Sequence, residues 1–221
     1  MSRTAIIGGH GKIALHLTRI LAGQGHQVSS LVRNAGHRAD VEAAGATAVL
    51  ADVEHLSTAE LADLLAGHDA VVWSAGAGGG SPERTYAVDR DAAKRSMDAA
   101  AAAGLRRYVM VSYFGAGPDH GVDPENSFFP YAQAKADADE YLKATGLDWT
   151  IVAPSALTDE PATGAVELGS DGAKSNVTRE DAALVLAEVL ASPGTIHSVL
   201  EFNNGTIPVA LAIRNAQGLV S

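Results

Sequence analysis

The sequence predicts a single α/β domain built on a doubly wound parallel sheet, with helices on both faces. Short aliphatic runs alternate repeatedly with longer segments of helical composition, the pattern of strands joined by crossover helices. The chain has 221 residues, 47% of them hydrophobic and 19% charged, enough to bury one sizeable core. No internal repeat or linker divides it.

Taken in order, Arg3–Ile7 reads as the first strand and residues 12–22 as a helix stopped by Gly23 and Gly25. Gln27–Val32, residues 46–51 and Ala70–Trp73 read as the second, third and fourth strands, each preceded by helical sequence. Ser57-Thr58-Ala59-Glu60 is a capping box, in which Ser and Glu satisfy each other's free backbone donors. Ser81-Pro82-Glu83 opens what reads as one long Ala-rich helix ending at Gly104. Arg107–Val111 is the fifth strand, residues 131–145 a helix stopped at Gly146, and residues 148–152 a sixth strand. Between them, residues 114–130 form a long loop rich in Gly, Pro and Asp, a kind that is usually functional or mobile.

Beyond Pro154 the alternation lapses. Residues 164–168 and 174–177 read as two short strands joined across 169–172. A helix begins at Thr178, residues 197–202 form a last strand, and 208–216 a terminal helix. The expectation is one domain over 1–221 with a small variable substrate lobe near 155–177 and 203–221.

Sixteen Lys and Arg against 26 Asp and Glu leave a formal charge of −10, which disfavours duplex nucleic acid and anionic membranes as partners. With no Cys, the chain has no disulfide, thiolate metal site or cysteine nucleophile. Its eight His show no metal-ligand spacing, and no G-x-S-x-G elbow surrounds Ser112. Neither a membrane span nor a signal peptide is legible, which points to the cytoplasm. The apolar faces imply nothing beyond a monomer or weak homodimer.

Directly after the first strand stands Gly8-Gly9-His10-Gly11-Lys12-Ile13-Ala14, which from Gly9 reads G-x-G-x-x-A, the Rossmann dinucleotide fingerprint in its Ala-ending form. The missing side chains let the backbone turn tightly and let a pyrophosphate approach N–H groups at a helix N-terminus, whose dipole favours anions. His10 and Lys12 could reach phosphate, and Ile13 belongs to the same opening turn. At the end of the second strand, NAD enzymes usually place an acid for the ribose diol; here stand Arg33 and Asn34. A guanidinium pairs with a 2′-phosphate and no acid repels it, so NADP(H) is favoured over NAD(H). Asp52-Val53 and Ser74-Ala75-Gly76 close the third and fourth strands, where the rest of a dinucleotide would lie.

These motifs, with Ser112 and Tyr131-Ala132-Gln133-Ala134-Lys135, together resemble the short-chain dehydrogenase/reductase superfamily. The phrases Val109-Met110-Val111-Ser112, Tyr131 to Asp137 and Thr150-Ile151-Val152-Ala153-Pro154-Ser155 are similar to its atypical, NmrA-like group. That group includes proteins described as sugar epimerases and relatives of biliverdin and flavin reductases. The resemblance implies a catalytic Ser112, Tyr131 and Lys135. Tyr131 would exchange a proton with the substrate oxygen, Ser112 would orient a carbonyl, and Lys135 would lower the phenol's pKa and hold the nicotinamide ribose. Ala153-Pro154 stands where relatives often have Arg-Pro, so that arginine's contacts are missing, while Pro154, Ser155 and Ala156 could pass the nicotinamide through their backbone.

The expected activity is hydride transfer between NADP(H) and a small carbonyl, quinone, flavin or sugar-like substrate. A redox sensor without turnover, or an epimerase or dehydratase that retains its cofactor, are the alternatives.

Overall fold

The computed structural model describes residues 1–78, 81–169 and 174–217. Five strands lie where the sequence places them: β1 (Arg3–Ile7), β2 (Gln27–Val32), β4 (Ala70–Trp73) and β5 (Arg107–Val111) to the residue, and β3 within its expected span as Thr47–Leu50. β6 (Asp148–Pro154) and β10 (Ser198–Asn204) run two residues longer than expected at their C-terminal ends. With β7 (Ala156–Thr158), β8 (Ala165–Leu168), β9 (Asn176–Thr178) and β11 (Ile207–Pro208), they form two sheets.

The main sheet has nine strands in the order β11-β8-β10-β6-β5-β4-β1-β2-β3. Every pairing from β10 to β3 is parallel, and only β8 pairs antiparallel, with β10 and β11. The order reverses between β1 and β4, the switch point where loops leaving adjacent strands part in opposite directions and open a crevice.

Successive side chains on a strand face opposite sides. Ala5 and Ile7 therefore join Trp73, Tyr108, Met110 and Ile151 in one core, while Ile6 joins Val72, Val109 and Val152 in the other. The helices α1 (Lys12–Gly23), α7 (Arg179–Ala191) and α8 (Val209–Gln217) cover the second face. On the first lie α3 (Thr58–Leu65), α5 (Ala93–Ala102) and α6 (Phe129–Lys143). Helix α2 (Arg38–Ala43) flanks β3, and Val41 enters the α1 core. The Ser57–Glu60 capping box forms as the sequence predicts.

Two expectations are corrected. The helix expected from Pro82 to Gly104 is α4 (Pro82–Thr85), a π-helical stretch Tyr86–Ala92, and α5. The wider turns rotate Val88, Asp89 and Ala92 inward. The two short strands beyond Pro154 do not pair with each other: β8 extends the main sheet, and β9 pairs in parallel with β7. Residues 170–172 of the turn expected between them, and 218–221 of the expected lobe, lie outside the described residues. Among the described residues no helix is long and apolar enough to cross a membrane.

Candidate functional site

The C-terminal ends of β1, β2, β3 and β4 surround a cleft of about 340 Å³ at the switch point. Gly8, His10 and Gly11 form one wall, Arg33 and His37 another, Asp52, Val53 and Glu54 a third, and residues 74–78 the floor.

Gly8 has φ +82°, and a Cβ there would lie 2.5 Å from Ala75 Cα. Only glycine allows this crossing of two backbones. Gly9 packs on Ser30, where a Cβ would come within 2.4 Å of the Ser30 Cβ. Gly11 is the N-cap of α1 with φ −59°, and it forms no side-chain cap, so the helix presents its first N–H groups bare at the cleft mouth. The backbone cradle, the open helix N-terminus and the neighbouring cations together fit a phosphorylated dinucleotide.

Several expected residues take other positions. Ile13 turns into the α1 core, and Lys12 Nζ pairs with Asp159 at 2.5 Å, which Arg179 also holds at 2.7 Å. Asn34 caps the short turn Ala35–His37 by accepting from the Gly36 N–H. Asp52 closes its own turn, accepting from the Glu54 N–H and pairing with His55 at 3.0 Å. Pro154 ends β6 and Ser155 is buried beside Phe202, whose carbonyl accepts its N–H. Ala156 begins β7, and none of these three lines the cleft.

A second cavity of about 540 Å³ adjoins the first, sharing Ala77 and Gly78 with it. Tyr131 and Asp89 line it, with Thr85 and, from the long loop, Pro124, Asn126, Ser127, Phe128 and Pro130 as its outer wall. Phe128, Tyr113 and Tyr131 form an aromatic cluster with centroids 5.2–5.7 Å apart. The loop whose chemistry is unreadable in sequence is therefore a wall of a cavity.

Tyr131, Lys135 and Asp139 share one face of α6 at successive intervals of four residues. Lys135 is 1% exposed and donates from Nζ to the Val111 carbonyl at 2.7 Å. Asp139, 3% exposed, accepts from Ser112 Oγ at 2.5 Å, and its Oδ1 has no partner among the described residues.

This arrangement bears on two expected roles. Ser112 gives its proton to Asp139, so in this geometry it offers lone pairs and not an O–H to a carbonyl. The Tyr131 phenol is not made more acidic: burial first, and then the nearby Asp89 and Asp139 carboxylates, push its pKa up. A phenol so placed stays protonated.

Asp89 is legible only in the fold. It is 1% exposed, its Oδ2 accepts from the Ala77 N–H at 3.0 Å, and burial raises its pKa. Arg84 and Glu54 are likewise missed by the sequence reading. Arg84 donates to the Ala77 carbonyl at 2.6 Å and meets Glu54 at 3.4 Å, locking the loop that both cavities share. No local motif marks any of the three, because their partners are distant in sequence.

Burial raises the pKa of Asp139 although Lys135 and Ser112 oppose it. Its charged form therefore costs folding energy, and stability present at acid pH is lost as pH rises. Replacing Lys135 by Met removes the opposing cation. We expect Lys135→Met to lose about 3 kcal/mol at pH 8, where it leaves the buried Asp139 charge without the cation that offsets it, and less at pH 5. Urea unfolding at the two pH values checks this, and equal losses would exclude a charged partnership with Asp139.

The family model described as NAD(P)H-binding matches residues 8–193. The Bacillus subtilis (strain 168) protein named as the sugar epimerase YhfK is 35% identical over 212 residues, covering 95% of this chain and 97% of that one. A Bacillus halodurans structure described as an NAD-dependent epimerase/dehydratase is 32% identical with a TM-score of 0.90, covering 97% of this chain and all of that one. The Lactococcus lactis oxidoreductase ylbE is 28% identical with a TM-score of 0.85, covering 96% and 95% of the two chains. These relatives agree with the NmrA-like resemblance, and with a glycine cradle at the switch point of a Rossmann-type sheet. The chain belongs to the NAD(P)H-binding family.

Proposed function

We propose that this protein is an NADP(H)-dependent oxidoreductase that passes hydride to or from a small carbonyl, quinone, flavin or sugar-like substrate. The observation that carries this reading is the pair of joined cavities: one holds the glycine cradle, the other a neutral phenol, and they meet at Ala77 and Gly78.

When bound, the nicotinamide supplies or accepts the hydride. The chain's own residues do the rest. Gly8 and Gly11 keep the backbone open so that the N–H groups at the start of α1 bind the pyrophosphate. Arg33, whose side chain is 57% exposed and lies 3.9 Å from Glu54, is free to turn to a 2′-phosphate. Tyr131 donates a proton to the substrate oxygen, and the aromatic cluster keeps water from that transfer. Lys135 and Asp139 position the helix face that carries the phenol.

The names of the relatives favour a second reading, an epimerase or dehydratase that keeps its cofactor and returns the hydride within one turnover. Such a protein purifies with stoichiometric nucleotide, whereas a turnover reductase exchanges it freely.

Calorimetric titration of nucleotide-free protein with NADPH and NADH tests the cofactor assignment. Arg33→Ala is expected to weaken NADPH binding about tenfold or more, the worth of one charge-assisted phosphate contact, and to leave NADH nearly unchanged. Equal losses for the two nucleotides would remove the 2′-phosphate role.

A further inference from the structure

The two joined cavities divide charge between them. Arg33, Arg84, His10 and His37 line the first, together with the open N-terminus of α1. Among the described residues no Lys, Arg or His lines the second, and residues 79–80, 170–173 and 218–221 contain none in sequence. The titratable side chains on its walls are Asp89 and Tyr131. Phe128, 43% exposed, stands beside Tyr131 with ring centroids 5.2 Å apart, so part of an aromatic face is open. We propose that the second cavity admits a ring-bearing substrate without negative charge and turns away one that carries phosphate or sulfonate, with Asp89 as the residue that sets this filter. This rests on the reading of that cavity as the substrate side, and it narrows the substrate to an uncharged carbonyl, quinone or flavin.

The cations nearest the second cavity are turned elsewhere. Arg84 lines the first cleft, where it donates to the Ala77 carbonyl and meets Glu54. Arg90, the residue after Asp89, pairs with Asp91 at 2.7 Å and lies over the Tyr86 ring. Lys135 donates to the Val111 carbonyl, and Lys174 stands 5.9 Å from the centre of the Phe114 ring. His120 accepts from the Val122 N–H and faces Phe129 edge-on. None of the five lines the second cavity. An anion entering it would give up water without meeting a cation, and would do so beside the Asp89 side chain. Burial raises the pKa of Asp89, while the Ala77 N–H, Lys135 and Arg84 act to keep it ionised.

A neutral ring meets no such cost. It stacks on the Phe128 and Tyr131 faces, and the volume of about 540 Å³ is in the range that holds a small organic ligand. A nucleotide sugar carries a diphosphate and a flavin mononucleotide a phosphate, so both meet the same obstacle. Riboflavin and simple quinones do not. The same division of charge keeps the phosphates of a dinucleotide in the first cleft and leaves the second to an uncharged partner.

The experiment uses two pairs of probes that differ in charge: riboflavin and its 5′-phosphate, and 1,4-naphthoquinone and its 2-sulfonate. Each is titrated into the purified full chain at pH 8 with saturating NADP⁺ in the first cleft, in wild type, Asp89→Asn and Ser127→Lys. Wild type is expected to bind the uncharged member of at least one pair about tenfold or more tighter than the charged one. Asp89→Asn keeps an acceptor for the Ala77 N–H and is expected to narrow that gap to about threefold or less. Ser127→Lys places a cation on the exposed loop wall and is expected to tighten the charged member about fivefold, with the uncharged one within about twofold of wild type. A gap absent in wild type, or unchanged in Asp89→Asn, would overturn the proposal, as would a wild type that binds no uncharged ring. NADPH oxidation by the same probes keeps the two readings apart. Turnover with charged and uncharged acceptors alike would overturn the filter and leave the oxidoreductase reading intact. Wild type that neither binds NADP⁺ nor oxidises NADPH would overturn that reading first and this one with it.

Discussion

Gly11→Val is expected to fold normally and to lose nucleotide affinity by about 100-fold or more. The reasoning starts from the backbone. Gly11 has φ −59° and ψ 148°, a conformation any residue adopts, and a Cβ there would meet the Gly8 carbonyl at 3.3 Å and little else. The fold therefore tolerates a side chain at this position. Valine's branches would stand over the bare N–H groups at the start of α1, where a pyrophosphate would accept hydrogen bonds. Two such charge-assisted bonds are worth roughly 1.5–3 kcal/mol each, and 1.4 kcal/mol is a factor of ten.

Gly8→Val makes the contrast. Its φ of +82° and the 2.5 Å approach to Ala75 Cα mean that any side chain both strains the loop and forces β1 and β4 apart. That variant is expected to lose about 2–5 kcal/mol of stability as well as binding. Thermal unfolding and calorimetry on the two variants separate the effects. Unchanged nucleotide affinity in folded Gly11→Val would refute the cradle.

If the proposed reductase function holds, Tyr131→Phe is expected to lower kcat about 100-fold, the lower end of what a positioned proton donor contributes, and to leave nucleotide affinity unchanged. The phenol lines the second cavity and not the cleft at the glycine cradle, so on the proposed function its loss should affect proton transfer and spare nucleotide binding. The pH dependence follows from the direction of the shift. Burial and the carboxylates Asp89 and Asp139 raise the pKa of Tyr131, so the phenol stays protonated above the usual tyrosine range. Reduction should then show no alkaline loss due to Tyr131 up to about pH 10. A kcat within twofold of wild type in Tyr131→Phe would remove the residue from the chemistry. An alkaline inflection near pH 8 that vanishes in the variant would show instead that Lys135 lowers the phenol's pKa after all.

Local signals in the chain reached a long way. The strands β1, β2, β4 and β5 are short aliphatic runs bounded by turn residues, and their bounds were therefore legible to the residue. The glycine loop was legible because tight backbone approach admits one residue type, and the Ser57 capping box because its two partners are three residues apart. The four-residue spacing of Tyr131 and Lys135 likewise placed them on one helical face.

Only the tertiary structure decided the rest. Whether the long Ala-rich helix is regular depends on packing against α6, and its π-helical stretch is what turns Asp89 into the second cavity. The partners of Ser112 and Lys135 are set by where α6 crosses the end of β5, which no spacing encodes. Burial, and after it Asp89, push the Tyr131 pKa up through contacts in space, whereas sequence offers only the Lys four residues away. The place of β8 in the main sheet, and its separation from β9, depends on pairing with β10, more than 30 residues downstream. Short-range rules settle what a segment becomes and where a phosphate can approach it. Which charges meet, and therefore which protons move, is settled by contacts between residues far apart in the chain.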